Sequence, residues 1–100
     1  MAEKVVVYWR DIPAQVIVRK GRKRATLELP ERFIKAIDRT AMKVGAQDSE
    51  AYLEAWRRGD PVTCGDDLEQ EVALAAAALE QDFSQEQLNA LVTNGGYADV

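Results

Sequence analysis

The chain has 100 residues, 47% of them hydrophobic and 30% charged, with a formal net charge of −4 and no histidine. That length supports one hydrophobic core and not two. The missing histidine removes Ser-His and Cys-His nucleophile pairs, imidazole proton transfer and most zinc sites, and no P-loop or Gly-x-Gly-x-x-Gly turn is present.

The start, Met1 to Val7, lacks a signal-peptide layout, because its apolar stretch is short and charges follow closely. Val5-Val6-Val7-Tyr8-Trp9 is β-branched and aromatic and predicts a strand, which Asp11-Ile12-Pro13 breaks. Simple alternation places Tyr8 and Arg10 on one face, and Trp9 on the other with Val5 and Val7. Two further strands, Ala14 to Lys20 and Lys23 to Leu29, flank Gly21-Arg22, a pair suited to a type II′ turn. That turn predicts a register with Val18 opposite Ala25, Val16 opposite Leu27, and Arg19 opposite Arg24.

Pro30 suits a first helical turn, and Phe33, Ile34, Ile37, Ala41 and Val44 follow at helical spacing until Gly45. A second helix is expected from about Ser49 to Arg58, burying Tyr52, Leu53 and Trp56 and ending at Gly59-Asp60-Pro61, with 61–65 as a linker. Leu68, Val72, Ala75, Ala76, Leu79 and Phe83 form one stripe of a third helix, capped by Asp66 or Asp67. Ser84 with Gln87 is a capping box ahead of Leu88, Leu91 and Val92, and Asn94-Gly95-Gly96 closes this fourth helix before a fraying end.

No apolar run approaches the roughly 20 residues of a membrane helix, so no membrane span is expected. Cys64 is alone, which fits a reducing cytoplasm. The fold class is therefore α+β: a three-stranded antiparallel meander followed by three to four helices packed as one domain. Residues 1–61 supply the strand meander plus two helices, and 62–100 an acidic helical extension on the same core. The expected core is Val5, Val7, Trp9, Val16, Val18, Leu27, Phe33, Ile37, Leu53, Trp56, Leu79 and Leu88.

Charge divides the chain sharply. Residues 1–58 hold all 13 basic side chains for a net of +5, and 59–100 hold none and net −9. Five cations, Arg19, Lys20, Arg22, Lys23 and Arg24, crowd one hairpin tip. They predict a site for phosphate groups or an acidic protein surface. The competing reading is a charged tip that keeps the sheet from pairing with strangers. Tyr8-Trp9-Arg10-Asp11 is the densest cluster, with Trp9 in the core; Arg10 and Asp11 read as an ion pair closing the first loop, with ligand recognition as the alternative.

Arg57-Arg58 suits a helix C-terminus. The group Asp60, Asp66, Asp67, Glu69 and Glu71 does not match a calcium loop, so no metal is assigned. Cys64, beside two aspartates, reads as a bystander thiol. The acidic helices are expected to lie against the basic half, anchored by Leu68, Val72, Leu79 and Phe83.

Two resemblances bear on function. Lys23 to Glu31, with Gly45 to Glu50, resembles the ribbon-helix-helix DNA-binding family. That likeness implies a groove-facing role for Arg24, Thr26 and Glu28 and a phosphate contact at Ser49. In that family the ribbon pairs with a partner chain.

Tyr8 to Val16, the basic hairpin, Phe33 to Ala41, and Tyr52-Leu53-x-x-Trp56-Arg57-Arg58-Gly59-Asp60-Pro61 resemble the small bacterial "virulence factor" family, a module also found in conserved virulence factor C proteins. The resemblance implies a non-catalytic accessory module of the bacterial cytoplasm, docking on a larger bacterial protein, with a link to one-carbon metabolism. No catalytic residue, cofactor or metal is expected. The partner- or anion-binding candidates are Tyr8, Arg10, Arg19, Lys20, Arg22, Lys23 and Arg24. The alternative is a dimeric ribbon-helix-helix-like DNA-binding regulator, and the third class is a small enzyme using Asp11 or Asp38.

Overall fold

The computed structural model describes residues 1–45 and 50–98. Strands β1 (Ala2–Trp9), β2 (Ile12–Lys20) and β3 (Lys23–Glu28) form the expected antiparallel meander. The Gly21-Arg22 turn sets its register: Val18 pairs with Ala25, Val16 with Leu27, and Arg19 with Arg24. Gly21 has φ 59° and Arg22 keeps a negative φ, as a type II′ turn requires.

Among the described residues the sheet has five strands where three were expected. β4 (Trp56–Arg58) and β5 (Val62–Cys64) both pair antiparallel with β1, β4 along Val7 to Trp9 and β5 along Ala2 to Lys4. The second edge of β1 carries backbone donors and acceptors that need partners, and these two short segments supply them. Arg57 and Arg58 therefore lie on a strand and not at a helix end, and most of the expected linker is β5. The second helix, α2 (Glu50–Glu54), is correspondingly short, and its expected start at Ser49 lies outside the described residues.

Alternation fails at one point of β1. Val7 pairs with Gln15 but Tyr8 with Pro13, so Ala14 is an extra residue and the faces switch. Trp9 consequently joins Ala2 and Val6 in the core, and not Val5 and Val7 as expected. Val5 and Ile17 are buried on the opposite face, between the pairs Glu3–Arg19 and Val7–Gln15.

The helices cover the face of Val16 and Val18. α1 (Glu31–Lys43) starts after Pro30 and buries Phe33, Ala36, Ile37 and Ala41, while Ile34 and Val44 stay exposed. α3 (Leu68–Asp82) lies across β2 and β3, and α4 (Gln85–Thr93) packs on α1. Asp67, not Asp66, caps α3, and Ser84 with Gln87 forms the capping box of α4. Trp9, Val16, Val18, Phe33, Ile37 and Leu88 are core as expected, and Leu79 packs against it. Leu27 and Leu53 are not core: they are 40% and 69% exposed, Leu27 because β3 is an edge strand and Leu53 because α2 buries no residue. Val7 and Trp56 are half-buried.

The acidic helices do meet the basic half, though mostly through carbonyls and not carboxylates. Arg32 of α1 donates to the backbone oxygens of Glu80 and Phe83 at the end of α3. Lys43 donates to Thr93 O at the end of α4, 3.0 Å away. Neither helix has a basic residue in its last turn, so α1 neutralises both negative helix ends from outside. No helix among the described residues is long and apolar enough to cross a membrane.

Candidate functional site

The predicted site residues separate into two groups at opposite ends of β2. Arg10 lies in the β1–β2 turn with Tyr8 just before it, and Arg19 to Arg24 span the β2–β3 turn. Eight residue steps of strand, about 25 Å at about 3.3 Å per residue, lie between them.

At the first end, the turn is Arg10-Asp11, and Arg10 takes φ 56°, a conformation that costs a non-glycine residue on the order of 1–2 kcal/mol. The surrounding contacts hold it there. The Arg10 guanidinium lies 5.0 Å from the centroids of both Trp9 and Tyr97, and its Nη1 donates to Gly95 O. Its backbone N–H donates to Ala55 O (3.0 Å), and that of Asp11 to Gly96 O (2.8 Å). Gly96 must be a glycine: it has φ 93°, and a Cβ would stand 3.0 Å from Arg10 Cδ. The Nε of Arg10 is buried with no hydrogen-bond partner.

Arg57 closes the same turn from β4. Its Nε donates to Arg10 O and its Nη2 to Asp11 Oδ1, each at 2.9 Å, while its guanidinium sits 4.5 Å from the Tyr8 ring centroid. Asp11 Oδ2 accepts from Ala98 N at 2.8 Å, which ties Ala98 to the turn; the last two residues of the end expected to fray lie outside the described residues. Trp9 Nε1 donates to Tyr52 O at 2.9 Å; the Trp9 ring is tilted against Tyr52 at 5.7 Å, and Tyr52 meets Trp56 edge-to-face at 6.1 Å. The ion pair expected within Arg10-Asp11 is therefore replaced by Arg57–Asp11. Sequence reading missed this because Arg57 was assigned to a helix; the Arg57-Arg58 pair was the visible signal.

The other end is different. Lys20 pairs with Asp66 at 3.3 Å, and Arg19 lies 4.0 Å from Glu3. Arg22, Lys23 and Arg24 are exposed and make no ion pair among the described residues. Asp66 also accepts from the Ala2 N–H at 3.2 Å. The hydrogen bond from Lys20, with its charge, holds the Asp66 carboxyl below its ordinary range.

The acidic group read from the sequence disperses: Asp66 goes to Lys20 and Asp67 to the α3 cap. Burial pushes the Cys64 thiol up, with Glu71 and Asp66 adding to the shift against Lys4. That is the direction of a protonated, unreactive thiol.

Asp38 is exposed on α1, and Asp11 is held in the turn by Arg57 and the Ala98 N–H. A cavity of about 360 Å³ lies elsewhere, lined by Asp82, Phe83, Gln87, Ala90, Leu91, Asn94 and Ala98, and none of the predicted site residues enters it.

The ribbon-helix-helix likeness meets an obstacle at β3, whose one edge is taken by β2 of the same chain. Ser49, its expected phosphate contact, lies outside the described residues. No curated protein and no solved structure matches the chain. The model of the virulence factor family matches residues 7–92. That span runs from the Tyr8–Asp11 turn through the basic hairpin and the Trp56-Arg57-Arg58 strand to the end of α4, and the chain belongs to the virulence factor family.

Proposed function

We propose that the protein is a non-catalytic accessory module of the bacterial cytoplasm that docks on an acidic surface of a larger protein through its β2–β3 hairpin tip. The observation that carries this reading is the contrast between the two cationic turns. Arg10 and Arg57 are spent on holding the fold, whereas Arg22, Lys23 and Arg24 stand exposed without an ion pair among the described residues. Arginine is favoured in interface hot spots, and a cluster of one sign steers association with a complementary surface. Lys20 is held by Asp66 and Arg19 lies near Glu3, so they support the tip, and recognition rests on Arg22 and Lys23 at the turn.

Affinity capture from the native host, comparing the native chain with Arg22→Glu/Lys23→Glu, tests this. The expected result is a captured protein that is lost with the charge-reversed variant and weakened by added salt. Equal capture by both chains, or none after crosslinking, overturns the reading. A salt-titrated gel shift separates an acidic protein from nucleic acid as the partner, because phosphate contacts give a steep loss of affinity with salt.

A further inference from the structure

β3 is an edge strand with an unbroken ladder to β2 and, among the described residues, an unpaired second edge. The two-residue hairpin makes Lys20–Lys23 a hydrogen-bonded pair, and the bond from Leu29 N to Ala14 O (3.0 Å) confirms that odd-numbered residues bond inward to β2. The backbone groups of Arg24, Thr26 and Glu28 therefore point outward. No proline or bulge interrupts them before Pro30, and among the described residues β3 has no strand on that side.

We propose that the occupant of this edge is a second copy of the same chain, paired antiparallel about a two-fold axis at Thr26. Outward residues must pair with outward residues, which permits only even-with-even registers. Centred on Thr26, every outward group finds a partner: Thr26 meets Thr26 of the second copy, and Arg24 meets Glu28 in both directions. Opposite charges and paired threonines are favourable cross-strand neighbours. A register centred on Arg24 sets like charges together and leaves Glu28 unpaired. On the helix-covered face, the chosen register lays the exposed Leu27 against Ala25 of the second copy. The result is one continuous sheet with the hairpin tips at opposite ends of the interface, an isologous contact.

Sedimentation equilibrium on the purified chain tests the pairing and does not involve Arg22 or Lys23, so its outcome is separate from that of the docking reading. A dimer is expected. Arg24→Glu alone and Glu28→Arg alone each place like charges together twice and should raise the dissociation constant about tenfold or more. Mixing the two variants should restore dimers, because every cross-strand pair is again complementary. That rescue is intermolecular, so a variant that fails to fold cannot mimic it.

Thr26→Pro removes an outward N–H without touching the β2 ladder and should also dissociate the dimer, with circular dichroism reporting an intact fold. A chain that stays monomeric at its highest soluble concentration overturns the proposal. So does a dimer indifferent to all of these changes.

Discussion

The Arg10-Asp11 turn and the Gly21-Arg22 turn cap opposite ends of β2, and both are two-residue connections with an arginine in the turn and further cations beside it. In the first, a non-glycine residue takes a positive φ, and Trp9, Tyr97, Arg57, Gly95 and Gly96 converge to hold it. In the second, glycine takes the positive φ at no steric cost, nothing lies within 4 Å of where its Cβ would be, and the cations point into solvent. The difference teaches that a cluster of arginines is not in itself a binding site. An arginine that has already found aromatic rings and carbonyls is part of the scaffold, and the one left without partners is available.

The largest expected effect lies at the Trp9 end. Trp9 is fully buried, packs its ring at a tilt against Tyr52 and donates to that residue's carbonyl. Trp9→Ala should cost about 3–5 kcal/mol by cavity formation, whereas Arg22→Ala at the exposed tip should stay within about 0.5 kcal/mol. Urea denaturation of both variants checks the comparison, and similar losses would break it.

A smaller contrast separates the glycines. Gly96→Ala puts a Cβ against Arg10 and Thr40 at φ 93° and should cost roughly 2–3 kcal/mol. Gly21→Ala meets open space and should cost only about 1 kcal/mol for its backbone conformation. Thermal melts of the pair would sharpen the comparison, and reversed magnitudes would sink it.

The smallest effect is pH-dependent and belongs to the hairpin end. Asp66 has a lowered folded-state pKa because Lys20 donates to it. Its contribution is therefore fully present above the ordinary carboxylate value and is lost as the pH falls through the lowered folded value. An NMR titration should find Asp66 ionising below a free aspartate, and Lys20→Met should return it toward normal. An unchanged Asp66 titration in that variant would show that the pair does not form in solution.

Much of the meander was legible because its determinants are local. Gly21 selects the turn, the turn sets the register, and Val16 and Val18 then face Leu27 and Ala25 as read. The capping box at Ser84, the stop at Gly45 and the apolar stripe of α3 were legible for the same reason. β4 and β5 were not. Each is three residues long and carries no strand pattern of its own; each is a strand only because β1, some 50 to 60 positions earlier, offers an open edge. Leu27 and Leu53 read as core from their chemistry, but burial depends on position in the fold: Leu27 lies on the edge strand and Leu53 on a helix that buries no residue.

By itself the sequence determined the secondary structure wherever neighbours within a few residues decide it, the division of charge between the two halves, and the want of histidine chemistry. Only the tertiary structure decided which cations are free. Arg10, Arg32, Lys43 and Arg57 are as basic in the sequence as Arg22 and Arg24. They differ because the fold brings Tyr97, Gly95, Asp11 and the carbonyl ends of α3 and α4 to them from 46 to 87 residues away. A charge is chosen by the sequence, but its partner is chosen by contacts between segments far apart in the chain, and those exist only once the chain has packed.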